Sequence, residues 1–312
     1  MKFQLSPEQR QFSASLHDLL GGADTAAVAR TWAAGSPERG LKLLRALADL
    51  GVPALLVDED HGGLGGSAVD LVVAFEALGY HAVPGPLVET AAVAPAVLTG
   101  DRLAALAGGD LLATVVAPPE VPLALDADVA GVVLDLNEGE VTGVGIELVR
   151  SVDPARRLFR ITGTTRTTAA DPVAFDRGVL AVSAQLLGAG QWLLDASVAY
   201  AKQRSQYGRA IGEYQAIKHL LADVVTQLEL ARPLLYGAAV AVAGDTFARD
   251  VSAAKVLAAD AAYLAARTAL QVHGAIGYTA EHDLGLRLTK VRALAGAWGT
   301  GSFHRARVLA AL

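Results

Sequence analysis

"RSQYGRAIGEYQAIKHLLAD", residues 204–223, sets two arginines, two tyrosines and three amide or imidazole side chains around Gly208 and Gly212, then opens onto a helical run. Beyond the second glycine, Ile217, Leu220, Leu221, Val224, Val225 and Leu228 recur at helical spacing and predict one apolar face. A guanidinium grips a phosphate bidentately, an aromatic ring stacks on a flat heterocycle, and amides read ribose or adenine edges, so a dinucleotide would satisfy all three. The same residues also read as an ordinary surface pair, Arg204 with Tyr207, beside a solvated helix face bearing Gln215 and His219. On these residues alone the second reading is the better one.

Outward from this cluster the chain divides into three. After Asp171-Pro172, long apolar runs at about 172 to 203, 212 to 243, 246 to 274 and 281 to 311, joined by short connections, predict an antiparallel four-helix bundle over 171–312. Pro233 should kink or interrupt the second of these. From about Leu111 to Ala170, short runs such as LLATVVA, AGVVLDL and RLFRITG alternate with Pro, Gly, Asp and Asn turns, and residues 111–170 read as a small β-domain. Residues 1–110 read as a helical domain. Ser6-Pro7-Glu8 marks a helix start, Leu41, Leu44, Leu47 and Leu50 mark a second helix from Pro37, and DEDHGGLGG breaks the pattern before SAVDLVVAFEALG restarts it. A further helix is expected from about Pro86 to Leu98. The fold class expected is mainly α with a small β-domain.

Composition bounds the chemistry. With 312 residues, 53% of them hydrophobic, core volume is not limiting, and 26 basic against 32 acidic residues leave a net charge of −6. That charge offers nucleic acid or an anionic membrane no general attraction, so an anionic ligand must be held locally. The chain has no cysteine, which removes disulfides, thiolate metal sites and cysteine nucleophiles. The first residues lack the apolar core of a signal peptide, and the uncharged run between Arg232 and Asp245 is too short to span a bilayer. The expectation is a cytoplasmic protein that binds no metal.

Four segments, in order, resemble the acyl-CoA dehydrogenase family across nearly the whole chain. They are SPEQRQFSASLHDLL, LGVPALLVDEDHGGLGGSAVDLVVAFEALGY with its glycine loop and Glu-x-x-Gly helix end, the quoted 204–223 segment, and QVHGAIGYTAEHDLGLRL. The resemblance implies an N-terminal helical domain, a middle β-domain and a C-terminal four-helix bundle. It also implies FAD lying between one subunit's bundle and its neighbour's β-domain. Carried over, Arg204 would hold the pyrophosphate, Gln206, Tyr207, Ile211 and Gln215 would line the adenosine side, and Gln271, Gly274 and Ala275 would touch the dinucleotide backbone. Ala275 stands where the family has a glycine.

Family chemistry takes the α-proton of an acyl-CoA thioester with a glutamate, and a weak carbon acid needs a desolvated carboxylate of raised pKa beside it. At the matching stretch, AGAWGTGSFHRAR, Trp298 occupies the glutamate position; the alternative family position, counted back from Arg204, falls on Gly178. Asp176 and Glu281 are the displaced candidates, though Glu281 and Asp283 also read as helix caps. The β segment is short for the family, and its flavin strands are missing. The resemblance therefore implies the shortened subunit of an actinobacterial α2β2 enzyme acting on a steroid-derived CoA thioester, with a larger homologous partner supplying the base. Two rivals are a competent homo-oligomer with a displaced carboxylate and a purely structural subunit without flavin contact. His61 in the acidic loop reads as solvated loop chemistry, and His219, His273, His282 and His304 are expected in different parts of the bundle.

Overall fold

The computed structural model describes residues 4–166, 172–279 and 282–312. Among these, five helices come first: α1 (Pro7–Gly22), α2 (Thr25–Ala33), α3 (Glu38–Asp49), α4 (Ala68–Tyr80) and α5 (Gly100–Ala107). Ser6 Oγ accepts from the Gln9 N–H at 3.1 Å while Gln9 Oε1 accepts from the Ser6 N–H at 3.0 Å, so two orphan donors at the start of α1 satisfy each other's residue. Gln9 Nε2 then donates to Asp70 Oδ1 at 3.0 Å and ties α1 to the first turn of α4.

The helix expected over 86–98 is not an α-helix. A π-helical turn spans Val88–Val93 and a 3₁₀ turn Ala94–Ala96. Pro95 has no N–H to continue an α ladder, and the widened turn leaves Glu89 only 2% exposed.

A five-stranded sheet follows, with β1 (Ala113–Val116), β2 (Ala124–Leu125), β3 (Val132–Asp135), β4 (Gly139–Val149) and β5 (Leu158–Arg166) in the order β1-β3-β4-β5-β2. Among the described strands only β1 and β3 pair in parallel; the long β4–β5 ribbon carries a register shift between Thr142 and Gly145. β4 is the longest strand, and its three glycines disguise it as turn sequence.

The rest is helical: α6 (Val173–Gln203), α7 (Gln215–Val240), α8 (Phe247–His273), α9 (Leu284–Gly296) and α10 (Gly301–Ala310), with a hairpin of β6 (Ser205–Gln206) and β7 (Arg209–Ala210) between α6 and α7. A Cβ on Gly188 would lie 1.9 Å from the Glu76 carbonyl oxygen and one on Gly79 2.2 Å from that of Gln185, so α4 and α6 cross backbone on backbone. α6 is the one described helix long and apolar enough to cross a bilayer, and 78% of its most apolar window is buried inside the molecule.

Three expectations change. The last helical run is two helices, because Trp298 (φ +57°) and Gly299 (φ +97°) reverse the chain and Thr300 Oγ caps α10 through the Phe303 N–H. α7 passes through Pro233 unbroken. Of its predicted apolar face only Val224 and Leu228 are buried, while Leu220 and Val225 are exposed.

Candidate functional site

Because α6 and α8 run in the same direction, their C-terminal ends meet, and there Tyr200 stacks on His273 with ring centroids 4.4 Å apart. This stack sets the end of α6, from which the 204–215 segment leaves, against the end of α8, where the 271–275 segment begins. Arg204 leaves α6 in extended backbone, and its carbonyl accepts from the Ile211 N–H at 2.8 Å to close the hairpin. At the tip, Tyr207 (φ +52°) and Gly208 (φ +81°) both have the positive φ that a two-residue type I′ turn requires. Inside the hairpin Arg209 lies 4.0 Å over the Tyr214 ring, and the Tyr214 hydroxyl donates to the Gln206 carbonyl at 3.1 Å.

These braces use Arg209 and Tyr214, and they leave the predicted ligand-binding side chains free. Arg204 makes no side-chain hydrogen bond or ion pair among the described residues, Gln206 and Gln215 are exposed, Ile211 is half-buried, and Tyr207 is 94% exposed. Between α7 and the end of α8 a cavity of about 570 Å³ is lined by Gln271, Gly274 and Ala275 together with Leu220, Arg267 and Tyr278. Ala275 is itself exposed, so its methyl group crowds nothing in this chain. Arg267, one turn before Gln271 on α8, was not singled out from sequence; its i, i+4 spacing to Gln271 is the signal that would have found it.

Trp298 and Gly178, the two positions where the family resemblance looked for a base, meet in space. Trp298 is 1% exposed, its ring centroid lies 5.6 Å from that of Phe175, and a Cβ on Gly178 would come within 2.4 Å of the indole. The indole occupies the room that the glycine leaves. Asp176 is buried, and both its oxygens accept from the Arg307 guanidinium, at 2.6 and 3.1 Å. Glu281 lies outside the described residues. Asp283 sits at the N-cap of α9, but its carboxylate accepts from Arg30 at 2.5 Å instead of capping the helix.

The histidines also differ from expectation. His273 and His282 approach to 5.2 Å rather than lying apart, and His304 is fully buried, with Nε2 donating to the Trp298 carbonyl at 2.8 Å. His61 pairs with Asp58 across one turn at 2.6 Å. Among the described residues no three His, Asp or Glu side chains are grouped to hold a metal.

Sequence reasoning missed the wall opposite Trp298. There Glu89 and Arg156 line a cavity of about 320 Å³ bounded by the β1–β2 connection, the turn before β5 and the end of α9. Burial pushes the Glu89 carboxyl up from the usual carboxylate range, against the opposing pull of Arg156 and the Trp298 indole. A lone acid inside LVETAAVAPAV was the available signal.

Two family models match: "Acyl-CoA dehydrogenase, N-terminal domain" over residues 6–100 and "Acyl-CoA dehydrogenase, C-terminal domain" over residues 170–312. The matches flank the sheet. Acyl-CoA dehydrogenase IpdE2 of Mycobacterium tuberculosis is 32% identical over 294 residues, covering 90% of each chain. Among solved structures, a variant of the steroid ACAD Tcur3481-Tcur3483 superposes with a TM-score of 0.86 at 21% identity, covering 97% of both chains. The ChsE4-ChsE5 complex from Mycobacterium tuberculosis superposes with a TM-score of 0.82 at 20% identity, covering 99% of this chain and 98% of that one.

Proposed function

The chain belongs to the acyl-CoA dehydrogenase family, and we propose that within it the chain is one subunit of a heteromeric, FAD-dependent acyl-CoA dehydrogenase, lending the cross-subunit half of a cofactor site while carrying no catalytic base of its own. Arg204 would pair with the pyrophosphate, Tyr207 would stack on the adenosine side beside Gln206, Ile211 and Gln215, and Gln271, Gly274 and Ala275 would lie along the dinucleotide backbone. The fit rests on what the chain leaves open: an unpaired guanidinium and an exposed aromatic ring on a braced hairpin, and a cavity of about 570 Å³ lined by Gln271, Gly274 and Ala275. When bound, FAD supplies the acceptor for the β-hydrogen of the acyl group. The α-proton needs a carboxylate, and the proposed source is a larger homologous subunit.

The observation that carries this reading is the indole of Trp298 seated over Gly178, which fills both base positions with one side chain. Two exposed apolar surfaces suit a chain that is covered in an assembly: Val144, Ile146 and Leu148 alternate along one face of β4, and Leu230 and Leu234 lie one turn apart on α7. The acyl group we propose is steroid-derived, the class for which one structural neighbour is described.

The test is to purify the chain alone and together with a larger homologous subunit, and to record the flavin spectrum and acyl-CoA oxidation of each. The expected result is little flavin and no turnover alone, with both present in the complex. Arg204→Ala in the complex should cost the charge-assisted contact, about 1.5–3 kcal/mol in FAD affinity. Unchanged flavin content would favour the structural-subunit reading. Full loading and turnover by the lone chain would favour the homo-oligomer.

A further inference from the structure

Two buried cations at the junction of helices, sheet and bundle find partners. Lys255 Nζ donates to the Leu294 and Ala295 carbonyls at 2.9 and 3.1 Å, and Lys290 faces Asp153 at 3.6 Å and the Val83 carbonyl at 3.5 Å. Asp126, on the same junction, accepts from the Trp32 indole at 2.8 Å and the Arg157 N–H at 3.3 Å. Arg156 is different. It is 9% exposed and lines the cavity of about 320 Å³, yet among the described residues its guanidinium makes no hydrogen bond and no ion pair. Glu89 and Asp126 feel its charge without coming within pairing distance. Its guanidinium borders the cavity with its donors free, so a ligand seated there can take them.

The second open group stands on the same wall. Glu89 is 2% exposed and its Oε2 has no hydrogen-bond partner. Burial keeps this carboxyl toward its protonated form, in which it donates a hydrogen bond instead of repelling an anion. Leu123, Leu125 and Leu158 supply an apolar floor, and Arg150 and Glu120 stand at the rim with opposite charges.

We propose that this cavity binds a small monocarboxylate with an apolar tail, its carboxylate gripped by the Arg156 guanidinium with the Glu89 carboxyl beside it and its tail on Leu123, Leu125 and Leu158. A planar fork matches a carboxylate in two parallel hydrogen bonds. Inorganic phosphate, without a tail, would leave the floor of Leu123, Leu125 and Leu158 uncovered. A thioester carries no such charge, so the site separates a free acid from its thioester. The inference does not depend on the flavin reading, because its readout involves neither a partner subunit nor a bound nucleotide.

Hexanoate titrated into the full chain, followed by calorimetry and by the change in tryptophan emission as Trp298 is contacted, tests it. One saturable site is expected, with hexanol silent and phosphate at least about tenfold weaker. Arg156→Gln should abolish binding. Should that variant fail to fold, Leu158→Trp, which fills the cavity from the opposite wall without touching a charge, should abolish it as well. Equal binding of hexanoate and phosphate, binding that survives Leu158→Trp, or no saturable binding of hexanoate would each overturn the proposal.

Discussion

Trp298 and Gly178 are one feature written in two places. In the middle of a helix glycine costs about 1 kcal/mol relative to alanine, yet here the alanine methyl would enter the indole ring at 2.4 Å. Gly178→Ala in the unaltered chain is therefore expected to destabilise by about 1–3 kcal/mol through overpacking. Trp298→Ala should cost about 3–5 kcal/mol, because the buried indole packs against Phe175 and fills the room beside Gly178. In the Trp298→Ala background the sign of the glycine substitution should reverse, with Gly178→Ala now stabilising by about 1 kcal/mol as helix propensity acts without the clash. Urea unfolding of the two single variants and the double variant measures this. Simple additivity would mean that the two residues do not share one space. Sequence placed both residues at the family's base positions but could not pair them, since they lie 120 positions apart and only the crossing of α6 by the turn before α10 joins them.

The hairpin between α6 and α7 breaks a local rule at its tip. A type I′ turn favours Asn-Gly, and a tyrosine held at φ +52° costs about 1–2 kcal/mol that asparagine largely avoids. A bulky ring kept there at 94% exposure makes no contact that stabilises its own chain, so its value must lie in what it touches outside. Tyr207→Asn should leave the melting temperature of the chain unchanged or slightly higher, while FAD affinity of the two-subunit complex falls about tenfold, the loss of one stacked ring. Tyr207→Phe should retain affinity. Equal affinity for all three chains would remove Tyr207 from the site. Elements with strong periodicity or chemical caps were legible in the sequence: α1 from Ser6-Pro7, α4 from Ser67, and β1, β3 and β5 from their Val, Leu and Ile runs. β4 was hidden by Gly139, Gly143 and Gly145, and the break between α9 and α10 was hidden because a tryptophan, not the following glycine alone, takes the left-handed conformation. The outer flank of α7 was misassigned because apolar periodicity marks surfaces that become buried, and Leu220 and Val225 are exposed in the single chain.

Across the whole molecule the buried ionisable groups fall into two sets that respond oppositely to acid. His304 and His81 have pKa values drawn down to about 4 by burial, with neighbouring positive groups adding to the effect. In the unfolded chain each would protonate near 6.5, so between pH 6.5 and 4 the unfolded state binds more protons and stability falls as pH falls. Asp126 behaves in reverse. Burial raises it from 3.8 to about 7, so the folded state holds a proton that the unfolded state has lost, and this contribution fades as pH rises through that interval. Glu89, also raised by burial, acts in the same direction as Asp126. The two sets oppose each other between pH 4 and 6.5, which predicts a melting temperature flatter over that range than either set would give alone. Substitutions should tilt it in opposite ways. His304→Gln removes a term that rises with pH, so its deficit relative to the unaltered chain should be largest above pH 6.5 and shrink toward pH 4. Asp126→Asn keeps an oxygen for the Trp32 indole and removes the opposing term, so the variant should gain on the unaltered chain as pH rises from about 4 to 7. Melting temperatures of the three chains across this range decide the matter: parallel curves would mean that these groups titrate alike in the folded and unfolded states, and that the charge junction between helices, sheet and bundle is not as dry as its burial implies.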